Sequence, residues 1–388
     1  MERGADKGVL ILAAGIGGAI GSTLAAAVAA MRGSPELVAP YLMTSGRLPQ
    51  IGEAPDFRLA GWDVRAVSMK EAVAAQGVLE KGLWAPYAEE IAQVPVKAAP
   101  SADMGLSAQV ERVKADMAAF QSIYPDMRPV FVNLLPAGSC HDLDRFESLD
   151  ALYREVAAVP LPDLVYVLAA VEAGIPVANF TPNMVEIPAV AAAAEKGGVP
   201  VAGRDGKTGQ TYFKVVLASA LRARGLFVNG WYSLNILGNA DGENLMDPAH
   251  AACKLENKTD VLEDVLGYSP GMKQFGKSAH KVHIDYYPPR GDAKEAWDVI
   301  DFESIFGLSM SLRLNLQGRD SILAVPLVLD LARWLCAARA AGRGGLVPEL
   351  AFYFKKAAGE GAVVGFSDQL AGLDQFEKLL NARLKEDA

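Results

Sequence analysis

Val9-Leu-Ile-Leu-Ala-Ala-Gly15-Ile-Gly17-Gly-Ala-Ile-Gly21-Ser-Thr-Leu24 sets the architecture of this chain. The apolar run Val9 to Ala13 suits a strand buried on both faces, and Ser22 to Met31 continues as an alanine-rich helix. Between them, Gly15, Gly17, Gly18 and Gly21, with Ala19 and Ile20, read as a dinucleotide fingerprint. Small residues there let the backbone approach a pyrophosphate at a helix N-terminus. The same glycines would also serve tight strand-to-helix packing with no ligand.

Working outward, Asp56-Phe-Arg-Leu-Ala-Gly-Trp-Asp63 reads as the second strand, ending in an acid. Asp63 can accept hydrogen bonds from the adenosine ribose and repel a 2'-phosphate, which favours NAD over NADP. Glu36 competes at the usual spacing of about 20 residues, but it follows Ser34-Pro35 rather than an apolar strand. The proline-dotted insertion Ser34 to Pro55 accounts for the longer separation. Val130 to Leu135, Leu164 to Leu168 and Pro176 to Asn179 are further strand candidates with helical patterns between them. That alternation predicts an α/β fold, a Rossmann-type doubly wound parallel sheet.

A chain of 388 residues is long enough for two intertwined domains. Its formal charge of −9 carries no compensating basic run, which argues against nucleic acid as a partner. The three cysteines, Cys140, Cys253 and Cys336, lie far apart and fit a reducing cytoplasm better than a disulfide framework. No metal-ligand spacing is present; His280 and His283 would face opposite sides of a strand. Gly8 to Met31 imitates a signal peptide or membrane span, but its flank has no net positive charge and its glycines weaken a continuous helix. The expectation is a soluble cytoplasmic protein with no membrane partner.

The second half holds the polar chemistry. Ser233-Leu-Asn-Ile-Leu-Gly-Asn-Ala-Asp-Gly-Glu-Asn-Leu245 reads as an active-site loop, in which amides and a carboxylate can converge on a polyhydroxylated ligand; an ordinary polar turn is the bland alternative. Gly206-Lys-Thr-Gly-Gln-Thr211 precedes a helical pattern, so its amides and hydroxyls can cradle a phosphate. It is not a Walker A loop, because the first glycine would fall on Val201. Asp247-Pro248 reads as an N-cap and N1 proline opening a helix that carries Lys254 and Lys258 on one face. Phe366 to Leu380 is a closing helix on the cofactor domain.

These segments resemble the myo-inositol-1-phosphate synthase family. The resemblance runs without a gap from Asp241 through Lys254 and Lys258, and continues through Gly291-Asp-Ala-Lys294, Arg319-Asp-Ser-Ile-Leu323 and Tyr353-Phe-Lys-Lys-Ala357. It implies an isomerase that turns glucose 6-phosphate into inositol 3-phosphate with NAD as a recycled cofactor. Lys254, Lys294, Lys356, Asp320 and Asp205 would then be catalytic. Thr208, Gly209, Gln210, Thr211, Asn235, Leu237, Asn239 and Lys258 would bind substrate, with Lys258 on the phosphate. Asn133, Asp241 and Ser321 would join the glycine turn and Asp63 around NAD. The resemblance also implies a homotetramer.

This chain departs from the family where Asn133-Leu-Leu-Pro-Ala-Gly138 replaces a more polar segment and where Ala19-Ile20 replaces two asparagines. Both departures fall on cofactor contacts. The expected organisation is a cofactor domain over 1–200, an inserted α+β substrate and oligomerisation domain over 201–331, and a return over 332–388. Two rivals stay open: a net NAD-dependent oxidoreductase on a related sugar phosphate, and a non-catalytic nucleotide-binding homologue.

Overall fold

The computed structural model describes residues 8–52, 56–65, 67–139, 141–156, 161–250 and 261–386. Strand β1 (Gly8–Ala14) is buried at every residue and is an inner strand of a seven-stranded sheet. Its neighbours are β2 (Asp56–Asp63) and β4 (Met127–Asn133); β3 (Val96–Ala98), β5 (Val177–Asn179), β6 (Pro200–Gly203) and β11 (Gly345–Leu346) complete the order β11-β6-β5-β4-β1-β2-β3. Every pairing in this sheet is parallel.

Alternation along β1 divides the core. Val9, Ile11 and Ala13 face helix α1 (Ala19–Gly33) and a long helix near the C-terminus, while Leu10, Leu12 and Ala14 face α2 (Leu106–Ile123) and α3 (Pro162–Glu172). Both faces of the sheet are thus covered, as parallel strands require.

One expected strand is a helix. Leu164 to Leu168 lies within α3, where every residue from Asp163 to Val171 is buried. A short apolar run cannot by itself distinguish a strand from a helix buried all round. The deciding signals are Pro162 at the first helical position and Asp163 in the first turn. Tyr166 of this helix packs on Trp62 and stacks on Phe131 of the sheet beneath it.

After β6 the chain leaves for a second layer. Helix α4 (Gln210–Ala223) lies against a four-stranded sheet of order β10-β9-β7-β8, formed by β7 (Phe227–Leu237), β8 (His280–Tyr286), β9 (Lys294–Glu303) and β10 (Ser309–Gly318). Val215, Ala218 and Leu221 meet Val228, Trp231 and Ile300 there.

Helix α5 (Asp320–Ala340) re-enters the first layer and packs along β1, β4, β5 and β6, so the return begins at Asp320 rather than at 332. By length and composition α5 could cross a membrane, but it is a core helix, mostly buried against the sheet. Its Asp330 accepts from the Met43 and Thr44 amides, and its Arg333 donates to Thr44 O and Gly52 O, which ties down the 34–52 part of the insertion. The closing helix α6 (Phe366–Glu386) seats Leu373, Phe376 and Leu380 in the same core as α1 and α5.

Candidate active site

The turns after β1 through β6 open on one side of the parallel sheet, where ligands bind in open α/β folds. They line one cleft of about 450 Å³, closed on the other side by Thr208 to Thr211, Leu237, Asn239 to Asp241, Lys294, Asp320, Ser321 and Lys355. The size suits a cofactor or small metabolite.

The glycine turn is built for close approach. Gly15 has φ +78°, and a Cβ there would stand 2.9 Å from Leu134 O; at Gly17 a Cβ would stand 2.8 Å from Asp63 Oδ2. Gly21 lies one position later than the third glycine of the six-residue fingerprint and packs its Cα face on Ile16. Helix α1 starts after Gly18 with no side-chain cap and no acid in its first turn, leaving its amides open to an anion. Asp63 stands beside it, accepting from the Gly17 amide at 2.9 Å and the Arg65 amide at 3.1 Å. Gln76 donates to Gly17 O at 3.0 Å and lines the same wall. This half could hold a dinucleotide: the glycines leave room for a pyrophosphate, and the Asp63 carboxylate could accept from a ribose.

Asn133 is placed differently from expectation. It is fully buried behind the cleft, donating to Asp163 at 2.6 Å and to Asn179 Oδ1 at 3.1 Å, and accepting from the Leu135 amide. Asp163 also accepts from Asn183, which braces Pro136 O and the Gly138 amide. Burial pushes the Asp163 carboxyl up, against the pull of these donors. The cleft-facing residues of this segment are the apolar Leu134 to Ala137.

On the facing wall, α4 begins after Gly209, again without a side-chain cap or an acid in its first turn. Thr208 Oγ1 donates to Asp320 Oδ1 at 3.0 Å, and Lys294 Nζ donates to Asp320 Oδ2 at 2.9 Å. Enclosure alone would raise the Asp320 carboxyl, but the Lys294 ammonium, with Lys355 and Thr208 behind it, holds it well below the usual carboxylate range. Asp205 has φ +62° and is 3% exposed; Lys355 Nζ donates to its Oδ1 at 2.7 Å, and its buried Oδ2 takes no hydrogen bond from the described residues. Two lysines, two carboxylates and an open helix N-terminus therefore share one wall.

Lys355, rather than Lys356, lines the cleft. The backbones of Lys356 and Arg204 bond in both directions, and consecutive side chains on such a strand-like segment point opposite ways. Lys254 and Lys258 lie outside the described residues, as do Cys140 and Cys253. Pro248 to His250 are helical, and the Asp247 side chain accepts from the Ala249 amide.

Ser233 and Asn235 sit on β7, not on a loop, and the polar turn begins at Gly238. Asn235 is fully buried and is not part of the cleft wall; Leu237, Asn239 and Asp241 are. Asn239 caps the short turn that follows through the Gly242 amide. Its Nδ2 and Ser321 Oγ both donate to Asp292 Oδ1, at 3.2 and 2.8 Å. Burial pushes the Asp292 carboxyl up. Sequence reasoning missed Asp292, although it stands inside the Gly-Asp-Ala-Lys segment read for its lysine. Lys207, of the false Walker pattern, turns away from the cleft and donates to Gln369 at 2.6 Å; burial pushes it down to about 7.

A sequence model of the myo-inositol-1-phosphate synthase family matches residues 209–321, a segment that builds most of this second wall. Inositol-3-phosphate synthase 1 of Bacteroides thetaiotaomicron is 40% identical over 217 residues, covering 55% of this chain and 51% of that protein. Over this segment the chain is similar to the myo-inositol-1-phosphate synthase family.

Inositol-3-phosphate synthase of Spirodela polyrhiza is 29% identical over 319 residues, covering 76% of this chain and 62% of that one. The chain thus spans roughly half to three fifths of the length of these curated relatives. In fold it resembles the crystal structure of inositol-3-phosphate synthase from Caenorhabditis elegans, with a TM-score of 0.81, 20% identity, and 96% and 86% of the two chains covered. It also resembles a myo-inositol-1-phosphate synthase-related protein from Thermotoga maritima, with a TM-score of 0.76, 21% identity, and 96% and 98% covered. Both are likenesses of fold.

Proposed function

We propose that this chain is an NAD-dependent isomerase that converts glucose 6-phosphate to 1D-myo-inositol 3-phosphate, acting in the cytoplasm as a homotetramer. The observation that carries this reading is the pair of uncapped helix N-termini, α1 after Gly18 and α4 after Gly209, opening on one cleft with Lys294, Asp320, Asp205 and Lys355 beside the second. One anion site suits the cofactor pyrophosphate and the other a sugar phosphate. NAD, when bound, supplies a hydride acceptor that makes a ketone at C5 of the sugar and takes part again in its reduction.

The chain's own residues supply the rest. Thr208 to Thr211 and the α4 amides hold the phosphate, with Lys258 as the added cation. Lys294 and Lys355 place ammonium groups where oxygens gain negative charge during enolisation and ring closure, and Asp320 holds Lys294 in its aim. Lys254 manages the proton on the C5 oxygen. Asp205, with one buried oxygen that takes no hydrogen bond from the described residues, offers an acceptor to a sugar hydroxyl. Asn239 and Asp241 border the place where sugar and nicotinamide meet. For self-association, the outer face of the second sheet exposes Tyr232 and Trp297, at 44% and 46%.

The test is conversion of carbon-13-labelled glucose 6-phosphate with NAD, with the product read by NMR. Inositol phosphate signals support the proposal. A ketonic or acidic sugar phosphate as the end product favours the oxidoreductase instead.

A further inference from the structure

Beneath the phosphate-binding turn lies a polar network that none of the roles above uses. Asp298, on β9, is 2% exposed and accepts three side-chain hydrogen bonds: from Gln210 Nε2 at 2.8 Å on Oδ2, and from Trp231 Nε1 at 2.7 Å and Ser233 Oγ at 2.6 Å on Oδ1. Gln210 opens α4 and lines the cleft. One turn further along the helix, Lys214 is 4% exposed, with its Nζ 2.9 Å from His280 Nε2. Gln210 and Lys214, four residues apart, share the face of α4 that meets the second sheet.

We propose that Asp298 is a positioning residue for the phosphate cradle, acting through Gln210. This rests on the functional reading above. Asp298 is buried, lies outside the cleft lining and accepts donors on both of its oxygens, so it is not a substrate ligand. A carboxylate only accepts, so it fixes the Gln210 side chain with Nε2 toward the sheet and Oε1 turned the other way. It also anchors the first residue of a helix that has no side-chain cap, and the direction of that first turn decides where its free amides point.

A buried negative charge close to an anion site would oppose phosphate binding, and Lys214 answers that difficulty. Its ammonium interacts with Asp298 through the protein interior, and burial pushes it down only to about 8. The pair therefore keeps the cradle near electrical balance while Asp298 holds Gln210. Replacement of Asp298 by Asn keeps its shape but turns one acceptor into a donor, which faces either Nε2 of Gln210 or the Trp231 and Ser233 donors.

The experiment is calorimetric titration of the full chain with glucose 6-phosphate and, separately, with NAD, alongside steady-state kinetics. In Asp298→Asn, affinity for glucose 6-phosphate should fall roughly ten- to a hundredfold, with NAD affinity unchanged and KM affected far more than kcat. Gln210→Met should give a similar loss. The double variant should be no worse than the poorer single variant, because both changes remove one interaction.

A merely structural Asp298 would weaken NAD and glucose 6-phosphate alike, and that result overturns the proposal. Losses that multiply in the double variant also overturn it. If Asp298→Asn does not fold, Gln210→Met decides alone: wild-type affinity for glucose 6-phosphate in that variant overturns the proposal, and a selective loss supports it. A wild-type chain that binds NAD but no glucose 6-phosphate overturns the functional reading and this proposal together, whereas normal wild-type binding with normal binding in Asp298→Asn overturns this proposal alone.

Discussion

Lys294 Nζ lies 2.9 Å from Asp320 Oδ2, joining the first residue of β9 to the first residue of α5. That contact locks the second sheet to the helix that carries the chain back into the first layer, and it does so at the cleft. Asp320→Asn should therefore cut kcat by about a hundredfold or more by leaving Lys294 misaimed. The stability cost should be only about 1 to 2 kcal/mol, because a third of the Asp320 side chain faces the open cleft. Since the folded protein holds this carboxyl below its unfolded value, the stabilisation is present above about pH 4 and is lost as pH falls further. Urea titrations of wild type and variant at neutral pH and at pH 3 check both the size and the sign.

Lys355 and Lys356 should separate cleanly. Lys355→Met removes the ion pair with Asp205 and a cleft ammonium, so activity should fall at least about a hundredfold. Lys356→Met should retain activity within about threefold. Steady-state rates on the two purified variants check this, and the reverse ranking would place the wrong lysine in the site.

Asp63 ends β2 and holds the Gly17 amide; in the proposed reading its carboxylate meets the adenosine ribose. Wild type should bind NAD at least about tenfold more tightly than NADP. Asp63→Ala should narrow that ratio and also weaken NAD itself, because the glycine turn loses its brace. Fluorescence titration with both nucleotides measures the ratio. A wild-type preference for NADP would misplace the acid.

Lys207 gives a pH test of the fold. Burial lowers its folded value to about 7, below the unfolded value of about 10.4. The unfolded chain therefore binds the extra proton between these limits, and stability from this site rises with pH across that window. Lys207→Met abolishes the contribution. The variant should compare best with wild type below pH 7 and progressively worse toward pH 10, as read by denaturant unfolding at several pH values. A constant difference would contradict a buried, largely neutral lysine.

Much of this was legible in the chain because its signals are local. Val9 to Ala13 and Asp56 to Asp63 are strands where their apolar runs placed them, and the glycine turn leads into α1. The 162–172 helix was missed because complete burial erased the periodicity that separates helix from strand. In the site, Thr208 to Thr211, Asn239, Asp241, Lys294, Asp320 and Ser321 come together on one wall. The choice between Lys355 and Lys356 was not legible, since it depends on which side of a short bridge each residue faces. Asp292 and Asp298 were invisible for a related reason. Their importance lies in donors that arrive from distant segments: Asn239 and Ser321 for one, Gln210, Trp231 and Ser233 for the other.

The central claim is that the cofactor is recycled within each turnover. Glucose 6-phosphate in large excess over NAD should be converted to inositol phosphate well beyond the NAD supplied, with no growing absorbance in the NADH band. Product formation that stops at one equivalent of NAD, with NADH accumulating in step, would contradict it.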